Sequence, residues 1–240
     1  MKRPLIYQLL VFLLCSQNLL ADSPEVELQQ VSHRSWVHTS YEMIAGYRTD
    51  ANGMVVDCKS GVVLVDACWN DLQAATLLEM VKERFHKPVL LAIITHSHVD
   101  RIGGIRTFLK NGIKVISTQL TAQLARKAGY PEPSPELGPD DTILQVGDTS
   151  IEAFYPGPGH TQDNITVWVP DDRVLFGGCL IKSKESTNLG NIADADLPNW
   201  ANSIRNLVRK FPNAKNVIPG HGQRGNMELL QHTIALCPGA

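Results

Sequence analysis

Val89-Leu90-Leu91-Ala92-Ile93-Ile94-Thr95-His96-Ser97-His98-Val99-Asp100 is the stretch on which the reading of this chain turns. Apolar residues in unbroken succession from Val89 to Ile94 predict a strand buried on both faces, as in a sheet flanked by helices. Once the chain leaves that strand, residues two apart can still project the same way. The His96 and His98 imidazoles and the Asp100 carboxylate can therefore meet at the strand's C-terminal edge. In open α/β sheets that edge is where ligands bind, and His, His and Asp are suitable zinc ligands. A His-x-His pair by itself is often just a surface loop. Here an apolar strand precedes it and Gly103-Gly104, which allows close backbone packing, follows it, so a metal site is the better reading. The helical His-Glu-x-x-His of zinc proteases is absent.

Working outward, Val55–Cys58 and Val62–Asp66 read as two strands joined by a hairpin at Lys59-Ser60-Gly61. Asn70 or Asp71 caps a helix to about Phe85, with Leu72, Ala75, Leu78 and Val81 on one face. A helix over Ile105–Lys110, a short strand at Val115-Ile116, a helix over 121–129 and a proline-rich loop at 131–139 complete the first half. The second half repeats the plan: strands over 142–146, 151–155, 165–169 and 173–177, a helix from Asp196 to about Lys210, a strand at 216–218 and a helix over 227–236. Two similar halves with no linker predict one α/β domain, a four-layer αββα sandwich with sheet on sheet and helices outside.

Three later positions share the placement of His96. His160 follows strand 151–155 in Pro158-Gly159-His160-Thr161, Cys179 follows strand 173–177 after Gly177-Gly178, and His221 follows strand 216–218 in Pro219-Gly220-His221-Gly222. Singly, each reads as a loop residue; together they point to one site. Cys179 could instead be half of a disulfide or an inert core thiol, but its strand-end position favours metal ligation. Cys58, Cys68 and Cys237 read as structural, and His33, His38, His86 and His232 have no neighbouring ligand pattern.

The chain has 240 residues, with Lys+Arg 22, Asp+Glu 24, eight His and five Cys. Near-balanced charge gives no basic face for a nucleic-acid backbone, and the sparse cysteines exclude a disulfide scaffold. Met1-Lys2-Arg3, an apolar run over Leu5–Leu14 and the exit at Leu20-Ala21 match a secretory signal peptide with cleavage after Ala21. The run is too short to span a bilayer, and Leu14 before Cys15 is larger than a lipid-anchoring signal expects. Removing residues 1–21 takes away Lys2 and Arg3 and no acid, leaving 20 basic and 24 acidic residues, formally −4. The expected product is an exported, periplasmic domain over 22–240, a monomer with no nucleic-acid partner and no stable membrane association.

The motifs His96-Ser97-His98-Val99-Asp100-Arg101, Gly159-His160-Thr161-Gln162-Asp163-Asn164, Cys179 and Gly220-His221-Gly222 resemble those of the metallo-β-lactamases, subclass B1. The resemblance covers about residues 30–236 with the motifs in the family's order. It implies two zinc ions, the first held by His96, His98 and His160 and the second by Asp100, Cys179 and His221. It further implies that Lys182 pairs with the substrate carboxylate and that Asn191 polarises the lactam carbonyl. Residues about 43–52 would form a mobile hairpin over the substrate, and Asp66 would support the metal floor. The implied reaction is hydrolysis of penicillins, cephalosporins and carbapenems, conferring resistance to them, by a zinc-bound hydroxide without a covalent acyl-enzyme. Asp100 and Asn191 would be its catalytic residues.

This chain departs from the family in having Ala67-Cys68 where Thr-Pro is frequent, and in a polar 43–52 segment containing Tyr47, Arg48 and Asp50. Thioester or phosphodiester hydrolases of the same fold carry His-x-His-x-Asp-His and a later bridging Asp. Arg101 and Cys179 stand at those places here, which disfavours them. A non-catalytic zinc-binding protein would need neither Lys182 nor Asn191.

Overall fold

The computed structural model describes residues 25–239; the segment expected to be a signal peptide, with Cys15, lies outside them. In chain order the elements are β1 (Val26–Gln30), β2 (Ser35–Ile44), β3 (Tyr47–Cys58), β4 (Gly61–Val65), α1 (Asp71–Phe85), β5 (Val89–Ile93), α2 (Val99–Ile102), α3 (Ile105–Lys110), β6 (Lys114–Thr118), α4 (Gln119–Lys127), β7 (Ser134–Leu137), β8 (Asp141–Val146), β9 (Thr149–Phe154), β10 (Thr166–Val169), β11 (Val174–Gly178), α5 (Leu197–Lys210), β12 (Asn216–Pro219) and α6 (Glu228–Leu236). One sheet runs β1 through β7 in sequence order, antiparallel as far as β4 and parallel beyond it. The other is ordered β12-β11-β10-β9-β8, with only the β11–β12 pair parallel.

Three apolar cores divide the layers. Val56, Val63 and Ile93 meet Ile151, Val167 and Phe176 between the sheets. Leu64 and Ala92 pack under Leu77, Ile105 and Phe108 on one outer side, and Leu175 and Val217 pack under Trp200, Ile204 and Leu230 on the other. This is the αββα sandwich expected from the repeated halves. Among the described residues, no helix is long and apolar enough to cross a membrane.

Several local expectations change. Strands β1 and β2 and the first half of β3 have no counterpart in the reading of hydrophobic pattern. The β2–β3 hairpin turns at Ala45-Gly46, both left-handed at φ 50° and 84°. That is the backbone sense that matches strand twist in a two-residue turn. The 131–139 loop contains β7 despite Pro135. In α1 the inward residues are Gln73, Ala74, Leu77 and Val81, while Leu72 is 71% exposed. The polar Gln73 takes an inward position because its side chain accepts from Trp69 N and donates to Tyr41 O. The expected close packing at Gly103-Gly104 is present. A Cβ on Gly103 would lie 1.9 Å from Trp69 O, and one on Gly104 would lie 2.1 Å from Ala67 O.

His38, inside β2, is fully buried, with Nε2 3.1 Å from Val65 O and Nδ1 3.8 Å from Cys68 Sγ. Burial lowers its pKa from 6.5 to about 4. The fold thus keeps His38 neutral where the unfolded chain would protonate it. The stability this provides is present above pH 6.5 and is lost as pH falls towards 4. Between about pH 7.5 and pH 5 the wild type should lose about 2 kcal/mol more than His38→Asn, read by urea unfolding with chelator present. Parallel pH profiles would contradict this.

Candidate metal centre

His96 stands just past β5, His98 caps α2, and His160 lies in the connection after β9. Their three rings face one another with every pair of centroids 5.0 Å apart and interplanar angles of 74°, 78° and 89°. His98 Nδ1 and His160 Nε2 are 3.1 Å apart, and His96 Nε2 is buried with no partner. Burial, reinforced by the neighbouring charges, pushes His160 down to about 2 and His96 well below its ordinary value. Neutral imidazoles with converging lone pairs are ready-made donors for a cation. The outward nitrogen of His98 is 2.9 Å from Asp194 Oδ2, and that of His96 is 3.3 Å from Thr95 Oγ1. Such contacts fix ring orientation and tautomer.

The second cluster is a triangle. Cys179 Sγ is 3.3 Å from Asp100 Oδ2 and 3.3 Å from His221 Nε2, and those two atoms are also 3.3 Å apart. Tetrahedral zinc with bonds of about 2.0–2.3 Å sets ligand atoms about 3.3–3.6 Å apart, so the donor set suits that ion in type and spacing. His96, Asp100 and Cys179 also converge within 4.8 Å, joining the two clusters. Gly220 makes the approach possible, since a Cβ there would lie 2.7 Å from Cys179 Sγ. Burial works to lower the pKa of His221, but Cys179 and Asp100 outweigh it and raise the value to about 10. Burial would likewise raise Asp100, yet Arg101 and His221 hold its carboxyl well below the usual range.

Beneath both clusters lies Arg101, wholly buried. It donates to Asp100 Oδ2 from Nε at 2.8 Å, to Gly220 O at 2.9 Å and to Asn52 O, and it lies 3.4 Å from Asp66 Oδ2. Asp66 also accepts from Thr95 N at 2.9 Å and from Thr95 Oγ1 at 3.0 Å, which ties the floor to the residue before His96. Cys68, in the departure from Thr-Pro, is buried at φ 63°, an angle closed to proline. Burial pushes its thiol up to about 12. All four described cysteines are free.

A cavity of about 760 Å³ opens over the clusters, with His98, Asp100, His160 and His221 on its floor and Lys182 and Asn191 on its wall. Lys182 is buried, its Nζ 5.3 Å from the centre of the Trp200 ring, and burial lowers its pKa. Asn191 is exposed, and its Oδ1 accepts from Ala193 N at 3.1 Å. All the residues named from sequence as site candidates thus gather at one edge. Arg101 and Asp194 are the additions. Apart from the adjacent Asp100, their partners (Asn52, Asp66 and Gly220 for Arg101, His98 for Asp194) are far away in sequence, so no local motif signals these contacts.

Fold and site together define an αββα protein with a His, Cys and carboxylate donor centre at one edge of its sheets. Residues 46–221 match the family model described as the metallo-beta-lactamase superfamily. Over 213 residues the chain is 46% identical to a metallo-beta-lactamase type 2 of Bacillus sp. (strain 170), covering 88% of this chain and 82% of that one. The type 2 enzyme of Bacteroides fragilis is 34% identical over 95% of this chain and 92% of its own length. A solved metallo-beta-lactamase from Pontibacter korlensis superposes with a TM-score of 0.85 at 37% identity, covering 90% of this chain and all of that one. The chain belongs to the metallo-β-lactamase family, among its B1-type members.

Proposed function

We propose that this protein is an exported zinc β-lactamase that hydrolyses the amide bond of penicillins, cephalosporins and carbapenems and so confers resistance to them. The observation that carries this reading is the joint placement of two three-donor clusters and the Lys182 and Asn191 side chains in one cavity. His96, His98 and His160 would hold one zinc ion, and Asp100, Cys179 and His221 a second. Zinc bound there supplies an acidified water and a Lewis acid for the lactam carbonyl. The relatives named above support the substrate class.

The chain's own side chains do the rest. Lys182, poorly solvated against Trp200, gains from pairing with an anion and so anchors the substrate carboxylate. Asn191 lines the cavity with its Oδ1 held by Ala193 N, and its amide N–H would donate to the carbonyl oxygen as charge develops there. Asp100, kept ionised by Arg101, offers an acceptor for the proton of the attacking water. No side chain forms a covalent acyl-enzyme. Residues 1–21 would direct export to the periplasm, and 22–240 would act as a single monomeric domain on a small molecule, free of nucleic acid and of stable membrane contact.

The rival chemistries separate in one set of assays: a penicillin, a carbapenem, a thioester and a phosphodiester, each with and without a chelator. Chelator-sensitive opening of the β-lactams is expected. Turnover of the thioester or phosphodiester alone, or bound zinc with no turnover of any β-lactam, would sink the proposal.

A further inference from the structure

Asp163 belongs to the segment Gly159-His160-Thr161-Gln162-Asp163-Asn164, yet no step above uses it. It is buried, 2% exposed. Its Oδ2 accepts from Ser97 N at 3.0 Å, the amide between His96 and His98, while its Oδ1 is buried without a partner. A second latch runs beside it, from Ile165 N to Thr95 O at 3.1 Å. Within the segment, Asn164 Oδ1 accepts from Thr161 N at 3.0 Å, and Thr121 Oγ1 of α4 lies 3.5 Å from Asp163 O.

The three histidines come from separate stretches of chain, His96 and His98 from the first half of the molecule and His160 from the second. The backbone bond from Ile165 N to Thr95 O joins the two stretches ahead of His96, but it stops short of the residue between His96 and His98, whose rings stand 5.0 Å apart and whose His98 Nδ1 lies 3.1 Å from His160 Nε2. Imidazole rings pivot on the backbone that carries them, so a shift at Ser97 moves both His96 and His98 relative to His160. The latch at Thr95 fixes the strand end ahead of the pair. Only the Asp163 bond reaches the amide inside it. Arg101 donates to Asp100 of the other cluster, to Gly220 O beside His221, and to Asn52 O and Asp66, and to neither Ser97 nor a histidine of the trio.

We propose that Asp163 is a positioning residue that sets the geometry of the three-histidine cluster through Ser97 N, independently of the Asp100–Cys179–His221 cluster. The proposal rests on the two-ion reading of the site. An asparagine can make the same bond with its carbonyl oxygen, whereas an alanine cannot. Groups that orient metal ligands from outside typically change metal affinity by about 10–100-fold.

Titration of the metal-free protein with cobalt(II) resolves the clusters. Cobalt bound by Cys179 gives a thiolate charge-transfer band, and cobalt held by nitrogen donors gives ligand-field bands without one. Asp163→Ala should weaken cobalt binding at the histidine cluster by about tenfold or more and at the thiolate cluster by less than about threefold, with Asp163→Asn within about threefold of wild type at both. Equal weakening at both clusters, no weakening, or an asparagine variant as impaired as the alanine one would overturn the proposal. Should the alanine variant fail to fold, hydrogen exchange in the wild type decides. The Ser97 amide should be strongly protected, and exchange at the rate of an open loop would contradict the assignment. A wild type that shows neither cobalt signature would instead refute the metal reading itself.

Discussion

Replacing Arg101 with alanine is expected to destabilise the protein by about 3–5 kcal/mol, the cost of removing one partner from a buried ion pair. Arg101 has no exposed surface, and its guanidinium lies 2.7 Å from Asp100 and 3.4 Å from Asp66. Without it two carboxylates stay in the interior with too few donors, Asn52 O loses the guanidinium N–H, and Gly220 O keeps only the Asn52 N–H at 2.8 Å. Since folded domains are stable by only about 5–15 kcal/mol, a loss of this size takes a large share of the total. Arg101→Lys should recover only part of it, because an ammonium restores the charge but not the planar fork that reaches four groups. Urea unfolding of the three proteins measures this. A change below about 1 kcal/mol for the alanine variant would mean that solvent or rearrangement replaces the clamp.

The second large effect falls on Cys179. Cys179→Ser should weaken zinc at the Asp100–His221 cluster by more than about 10–100-fold, the loss typical of a mere supporting partner, since here a direct donor is lost. A serine hydroxyl is neither soft nor readily deprotonated, so it replaces the sulfur in volume only. The three-histidine cluster should change by less than about threefold, because all three of its donors are imidazole nitrogens that the substitution leaves in place. Competition with a chromogenic chelator measures both affinities. Equal loss of both ions would overturn the division of ligands, and together with the Asp163 variant the experiment perturbs each cluster in turn.

The candidate ligands are legible because each stands just past a strand and beside glycine or near another candidate, a local pattern that survives without any knowledge of contacts. The αββα plan was legible for the same reason: apolar runs such as Val62–Val65 and Val174–Phe176 mark strands, and Asp196 with Pro198 marks the start of α5. The first hairpin is not legible in the hydrophobic pattern, because both of its faces carry polar residues, His38 and Ser40 on one and Asn52 beside Thr39 on the other. His38, Ser40 and Asn52 are all buried, so hydrophobic alternation disappears over β2 and β3. Asn52 is satisfied at Pro219 O and Gly222 O, across the molecule. Arg101 was hidden for a related reason. A charged residue reads as solvent-facing until Asp66, Asn52 and Gly220 are brought around it. Asp194 likewise acquires meaning only when the fold carries it 96 positions back to His98.

The most direct test of the account is to strip the purified protein of metal, add zinc back stepwise, and follow carbapenem ring opening alongside zinc bound per chain. No turnover is expected without metal, with recovery as zinc binds and two ions per chain at saturation. Undiminished turnover in the metal-free protein, or saturated zinc sites with no ring opening, would contradict it.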